Sequence, residues 1–485
     1  MTTPARPAEA DEPDRRRRLL ILAICCMSLL IVGLDNTIVN VALPSIGRDL
    51  HAKVSGLQWI VDAYTLLLAS LLMLSGSMAD RIGRRKVFAI GLCLFTGGSL
   101  LCSLASTLGE LVIFRMVQAL GGSMLNPVAM SIIRNVFTDA RERAQAIGFW
   151  GATVGISLAL GPVVGGVLVG SVGWPAIFLI NIPVGLAALA LTIRFVPESK
   201  ADRPRRVDPG GQILVIVLLA ALTYAIIEGP GAGWLSTQEI VLFAGAALCL
   251  AGFLAYERRR EQPLIEVAFF RSTPFSGAVV IAIAAFAALG GFLFLNTLYL
   301  QDVRQFSALK AGLYTLPIAA MTLIFAPLAG RLVGNRGPRP ALLVGGAGIA
   351  LGALILTAIT PTTPTATLLF AYAVFGLGFG TVNPPITNTA VAGMPPAQAG
   401  VASAIASTSR QLGQTLGVAI VGALAASSVN ATHSGRPAAL PSDIGWWLIT
   451  GCGLLVLVLG VLSTTDRANE TAARVAAAAA APATG

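Results

Sequence analysis

The 485-residue sequence predicts an all-α integral membrane protein: two six-helix bundles with two extra central helices, about fourteen transmembrane helices in all. Three observations lead there. Hydrophobic residues make up 55% of the chain and charged residues only 12%, with a mean hydropathy of +0.79, whereas soluble chains carry about 25% charged residues. Apolar runs of about 20 residues, enough to cross a hydrocarbon core of roughly 30 Å, recur from end to end. Short sequence fragments also recur in the same order, about 254 to 260 residues apart.

Apolar runs bounded by polar breaks place the spans at 19–43, 57–78, 87–107, 110–133, 146–169, 174–196, 211–228, 239–256, 275–299, 311–333, 341–360, 367–391, 400–424 and 444–463. The segment before the first span, MTTPARPAEADEPDRRRR, lacks the apolar core and small-residue cleavage site of a secretory signal, so targeting falls to the first span itself. With the N-terminus inside, the inner segments hold 26 of the 33 Lys and Arg residues and the outer loops hold five. This is the positive-inside bias of a multi-pass protein with both termini cytoplasmic, as expected in an inner (plasma) membrane of bacterial type. Topology and anionic lipid account for the formal charge of +10, and no nucleic-acid partner is expected.

The repeats divide the chain. GSMADRIGRRK after span 2 is echoed by GRLVGNRGPRP after span 10, LGGSMLNP in span 4 by FGLGFGTVNP in span 12, and LDNT in span 1 by FLNT in span 9. The expected organisation is an N-terminal tail 1–18, a first bundle 19–196, a linker 197–274 with the two inserted spans, a second bundle 275–463, and an Ala-rich tail 464–485 that is disordered or a frayed surface helix. Two halves related by an axis along the membrane normal, with a site between them, is an arrangement of secondary transporters. No GxxxxGK[ST] loop is present for an ATP-driven pump. No cluster of acids, His or Cys marks a membrane enzyme. The six cysteines all lie in apolar runs, without metal or disulfide spacing, and His51 and His433 are far apart in short polar loops.

Six motifs, in order and on the expected spans, resemble the major facilitator superfamily, in its fourteen-spanning drug:proton antiporter branch. They are LDNTIVNVALP (34–44), GSMADRIGRRK (76–86), RMVQALGG (115–122), GISLALGPVVGG (155–166), GWPAIFLINIPVG (173–185) and RQLGQTLGVAI (410–420). The resemblance, over about residues 15–465, implies alternating access and export of drugs or other amphiphilic or lipophilic small molecules. The energy source is the proton motive force, with no cofactor and no metal, and the protein works as a monomer in contact with membrane lipid. The alternative is a facilitator, or an exporter of one metabolite or self-made antibiotic.

Within that frame each residue has a role. A carboxylate in an apolar span is expensive and must face protein or water. Asp35 and Arg115 lie at similar depth on spans 1 and 4, which makes them the candidate proton-sensitive pair, or else a pair that only fixes helix packing. Asp62, near the outer end of span 2, is a second proton-coupling candidate. Gly76, Asp80, Arg81, Gly83, Arg84 and Arg85 form the conformational loop motif. By the resemblance, Asp80 holds the cytoplasmic side closed through a neighbouring helix end and basic partners. The second-half copy has Gly334 in place of the acid, so any charge latch is one-sided. Gly155, Gly161, Pro162, Gly165 and Gly166 make up the antiporter motif, where i,i+4 glycines, with Gly151 beside them, allow close helix approach. Arg410, near mid-membrane, has no deep acid in spans 9–14 to pair with. It joins Gln411, Asn36, Gln118, Asn126, Asn296 and Asn383 as substrate or cavity candidates.

Overall fold

The computed structural model describes residues 15–201, 208–260, 265–392, 396–433 and 443–480, and these are helical almost throughout, with no strand among them. In chain order the helices are α1 Arg15–Asp49, α2 Val54–Ile82, α3 Arg84–Ser103, α4 Leu108–Val136, α5 Ala140–Ser171 and α6 Ala176–Phe195. The inserted pair is α7 Pro209–Ala232 and α8 Thr237–Glu257. There follow α9 Thr273–Val303, α10 Ala308–Arg336, α11 Arg339–Leu356, α12 Thr365–Val391, α13 Pro396–His433, α14 Asp443–Leu462 and α15 Asp466–Ala480. Among the described residues, thirteen of these are long and apolar enough to cross a membrane. The other expected span lies in α13, a 38-residue helix diluted by Arg410, Gln411, Gln414 and several hydroxyl side chains.

Local chemistry sets the starts. Thr107 and Glu110 form a capping box on α4: the Thr107 hydroxyl accepts from Glu110 N (3.2 Å) and the Glu110 carboxylate from Thr107 N (3.2 Å). Asp139 opens α5 by accepting from the backbone of Arg141 and Glu142 at 3.0 and 2.8 Å. Each cap satisfies backbone donors that a first helical turn leaves open. Several ends depart from expectation. Helix α1 runs on through Pro44 to Asp49, α6 contains a break at Ile180, and α9 ends in a π-helical turn from Tyr299 to Val303. The Ala-rich tail is helical to Ala480, with Thr273 N donating to the Thr471 hydroxyl at 2.9 Å.

The packing repeats itself. In the first half α1 lies on α5, α2 on α4, and α3 on both α4 and α6; in the second, α9 lies on α13, α10 on α12, and α11 on both α12 and α14. The halves meet along two seams, α2 against α13 and α5 against α10. Helices α7 and α8 pack on each other, and α7 lies against both α2 and α13. Lipid supplies no hydrophobic drive between helices, so close van der Waals contact must hold them. The second-half core shows such contact: Phe292 stacks on Phe375 with centroids 4.4 Å apart and meets Tyr372 and Trp446 edge-on.

Candidate functional site

Five helices of the first half converge on Asp35, which has no exposed surface. Arg115 of α4 donates through Nη1 to Asp35 Oδ2 and to Gln118 Oε1 (2.8 Å), and through Nε to the Ile60 carbonyl (3.2 Å). Gln118 Nε2 donates to Asp35 Oδ1 at 2.8 Å, and Asn181 Nδ2 of α6 reaches the same oxygen at 3.3 Å. Ser99 of α3 accepts from Asn181 (3.0 Å) and donates to the Phe178 carbonyl (2.9 Å). The Tyr64 ring of α2 covers the guanidinium, 4.1 Å from its carbon. Matched depth therefore does bring Asp35, Arg115 and Gln118 together, but inside a shell that pattern reading missed: Ser99, Asn181 and Tyr64. Breaking a buried ion pair strands a charge and costs about 3–5 kcal/mol. A change of charge on Asp35 therefore acts directly on the joint between α1 and α4.

Asp62 is not part of this network. It is buried, and among the described residues neither carboxylate oxygen has a hydrogen-bond partner within normal geometry. By helical spacing it shares a stripe with Gln58 and Thr65, the face of α2 that meets α13. There Gln58 Nε2 donates to the carbonyls of Ala419 (2.8 Å) and Val418 (3.4 Å), and the Thr415 hydroxyl donates to Thr65 (2.8 Å). Gln301 Nε2 donates to the Val41 carbonyl at 2.8 Å, a further bond from half to half. None of these bonds lies at the basic end, the end carrying the loops after α2, α4, α6, α8 and α10.

The antiporter motif threads α5 between α1 and α10. A Cβ on Gly161 would lie 1.9 Å from the Thr37 hydroxyl, and one on Gly165 2.7 Å from the Ile38 side chain. One on Gly166 would lie 2.5 Å from Leu309 Cα, and Gly155 faces Leu323 at 3.2 Å. The Pro162 carbonyl would lie 2.1 Å from a Cβ on Gly312. Gly151 differs from expectation: nothing lies within 4 Å of a Cβ built there, so it makes no close helix approach.

At the basic end, Asp80 pairs within its own motif: Arg84 donates to Asp80 Oδ1 through Nη2 (2.9 Å) and Nε (3.2 Å). The chain after α6 lies along this motif, with Ala201 N donating to the Asp80 carbonyl (3.1 Å) and Arg84 N to that of Ser199 (2.9 Å). Glu198 completes it by accepting from Arg85 N at 3.1 Å. Gly83 holds φ at +129° between α2 and α3, and a Cβ there would lie 2.6 Å from the Glu198 carboxylate. Arg81 is exposed, and a Cβ on Gly76 would approach only Pro127, at 3.8 Å. The partnership with Glu198 was missed; its only sequence signal is an acid directly after α6 and before a basic run.

The polar candidates divide between the halves. Arg410 donates to the Thr387 hydroxyl through Nη2 and to Ser407 through Nη1 (3.5 Å), while its Nε has no partner among the described residues and its guanidinium lies 6.0 Å from the Phe286 ring. Among the described residues Gln411 Oε1 and the Oδ1 atoms of Asn36 and Asn126 are buried without partners, although all three residues are partly exposed. Asn383 is likewise half-buried. Asn296 stands apart, accepting from the Tyr372 hydroxyl inside the second-half core. The two halves thus present unsatisfied polar atoms on partly open faces, the furniture of a polar cavity in an apolar bundle.

Known proteins share this architecture and sequence. The chain is 39% identical over 417 residues to the multidrug resistance protein Stp of Mycobacterium tuberculosis, covering 86% of this chain and 78% of that one. It is 36% identical over 411 residues to the tetracenomycin C resistance and export protein of Streptomyces glaucescens, covering 84% and 76%. The crystal structure of a D-xylose-proton symporter superposes with a TM-score of 0.66 at 17% identity, covering 92% of this chain and 97% of that one, a likeness of fold alone. The sequence model for the Major Facilitator Superfamily matches residues 25–418. With a doubled six-helix packing, two seams between halves and a family match over most of its length, the chain belongs to the Major Facilitator Superfamily.

Proposed function

We propose that the protein exports drugs or other amphiphilic, lipophilic small molecules by alternating access, in exchange for protons. The observation that carries this reading is the Asp35–Arg115 network, a charged pair sealed inside an apolar bundle and shared by α1, α4 and α6. Proton entry at Asp35 weakens its hold on Arg115 and loosens α1 against α4. Asp62, on the seam with α13, is a second proton-coupling position. The bonds between the halves at Gln58, Thr65 and Gln301 hold the far end shut, while the Asp80 loop motif and Glu198 form the moving parts at the basic end. Substrate sits between the halves, near Asn36 and Asn126 on one side and Arg410 and Gln411 on the other, with Asn383 and Asn296 behind. The glycines and Pro162 of the antiporter motif pack α5 tightly enough to oppose leak. No cofactor takes part, the proton motive force drives export, and the protein works as a monomer in lipid.

In this reading the basic end faces the cytoplasm of a bacterial-type inner membrane and both termini lie inside. Bundles 19–196 and 275–463 rock about the site, with 197–274 inserted between them and tails at 1–18 and 464–485. The multidrug resistance name of the Mycobacterium tuberculosis relative supports the broad reading; the tetracenomycin C relative, named for one antibiotic, favours the narrower alternative of a dedicated exporter. Purified protein in vesicles with an imposed pH gradient tests coupling. A fluorescent lipophilic dye should accumulate against its gradient and stop doing so when a protonophore is added. Movement only down the dye's own gradient would make the protein a facilitator. A panel of toxic compounds on an efflux-deficient host then separates broad from single-substrate export.

A further inference from the structure

We propose that a recess between the starts of α1 and α5 binds the headgroup of an anionic phospholipid. It is a cavity of about 80 Å³ at the basic end, lined by Arg15 and Arg18 of α1, Phe137 after α4, and Glu142 and Gln145 of α5. A single water needs only about 10–15 Å³ measured this way, so the recess admits a group of several heavy atoms.

Its chemistry is that of an amphiphile's polar end. Arg18 is held in place by Glu142, Nη1 to Oε2 at 3.1 Å, with its side chain 16% exposed. Among the described residues its Nε is buried without a partner. Arg15 lies three residues earlier on the same helical face and forms no ion pair among the described residues. Two guanidiniums against one carboxylate leave a single positive charge, matched to a phosphodiester, and a guanidinium fork suits phosphate oxygens. The rim is apolar and faces away from the bundle: Leu19 is 52% exposed and Phe149 68% exposed. In a bilayer that rim stands against acyl chains, which a free phosphate would not use. Anionic lipid is enriched on the cytoplasmic leaflet of a membrane, so the leaflet assignment, though not the site, rests on the proposed orientation.

The test is native mass spectrometry of the full-length protein, titrated with phosphatidylglycerol or phosphatidylcholine. Wild type should retain phosphatidylglycerol selectively. Arg15→Gln with Arg18→Gln should weaken that retention by roughly tenfold or more, whereas Arg258→Gln with Arg259→Gln, in another basic loop, should leave it unchanged. Glu142→Gln should strengthen it, because Arg18 loses its competing carboxylate; this gain cannot come from misfolding. Equal losses in the two arginine pairs, or a loss in Glu142→Gln, would overturn the proposal. Displacement of the lipid by millimolar inorganic phosphate would overturn it too, by making the recess a simple anion hole. Because the readout is lipid retention and not transport, the outcome is independent of the export reading.

Discussion

Asp35 takes hydrogen bonds from a guanidinium and two carboxamides, so asparagine at this position keeps the size of the side chain while removing the charge those donors converge on. Asp35→Asn should still bind substrate but lose uphill export and its pH dependence in vesicles; full proton-driven accumulation would place coupling elsewhere, with Asp62 next to test. Arg115→Ala should act on stability as well, by about 3–5 kcal/mol for a broken buried pair, visible as a clear drop in melting temperature in detergent. An unchanged melting temperature would show that the pair does not hold α1 to α4. Asp35 and Arg115 were legible in the sequence because charges inside apolar spans are expensive and therefore conspicuous. Ser99 and Asn181 were not. A single serine or asparagine in an apolar run is ordinary, and its contact with a residue 82 or more positions away leaves no trace in local pattern. Glu198 was hidden for a related reason, since its partners, the Arg85 backbone amide at 3.1 Å and guanidinium at 3.9 Å, lie 113 positions away.

For the helices, hydropathy located nearly every element because each must satisfy its own backbone in lipid. What it left out are the interruptions, the break at Ile180 and the π turn at Tyr299–Val303, which hydropathy does not register. Close approach of α5 was legible from glycine spacing only in part: Gly161 and Gly165 abut α1 while Gly151 abuts nothing, because spacing fixes a face of a helix but not its neighbour. The distinction makes a controlled test. Gly161→Ala pushes a methyl into Thr37 and Gly312→Ala pushes one into the Pro162 carbonyl. Each should destabilise by about 1–3 kcal/mol, the usual cost of overpacking, and slow transport. Gly151→Ala should leave both melting temperature and transport rate near wild type. Equal effects at all three positions would show that helix propensity, not packing, is being measured.

Across the whole molecule the proposed orientation rests on the charge bias, and it is open to direct test. On a background with all six cysteines replaced, cysteines at Ser106 and Thr362 should react with an impermeant maleimide from outside, and one at Thr138 only after permeabilisation. The opposite pattern would invert the assignment of both termini. The hydrogen bonds that join the halves among the described residues have one further property. Those from Gln58 and Gln301 end on main-chain carbonyls, and a carbonyl survives almost any substitution of its own residue. Val41, Val418 and Ala419 can therefore drift in sequence without dismantling this junction, whereas the two glutamines, together with Gly422, where a Cβ would lie 2.5 Å from Gln58 Cδ, cannot. An exporter under pressure to meet new toxins thus has helices whose linings are free to vary while the seal is written once, in a few amides.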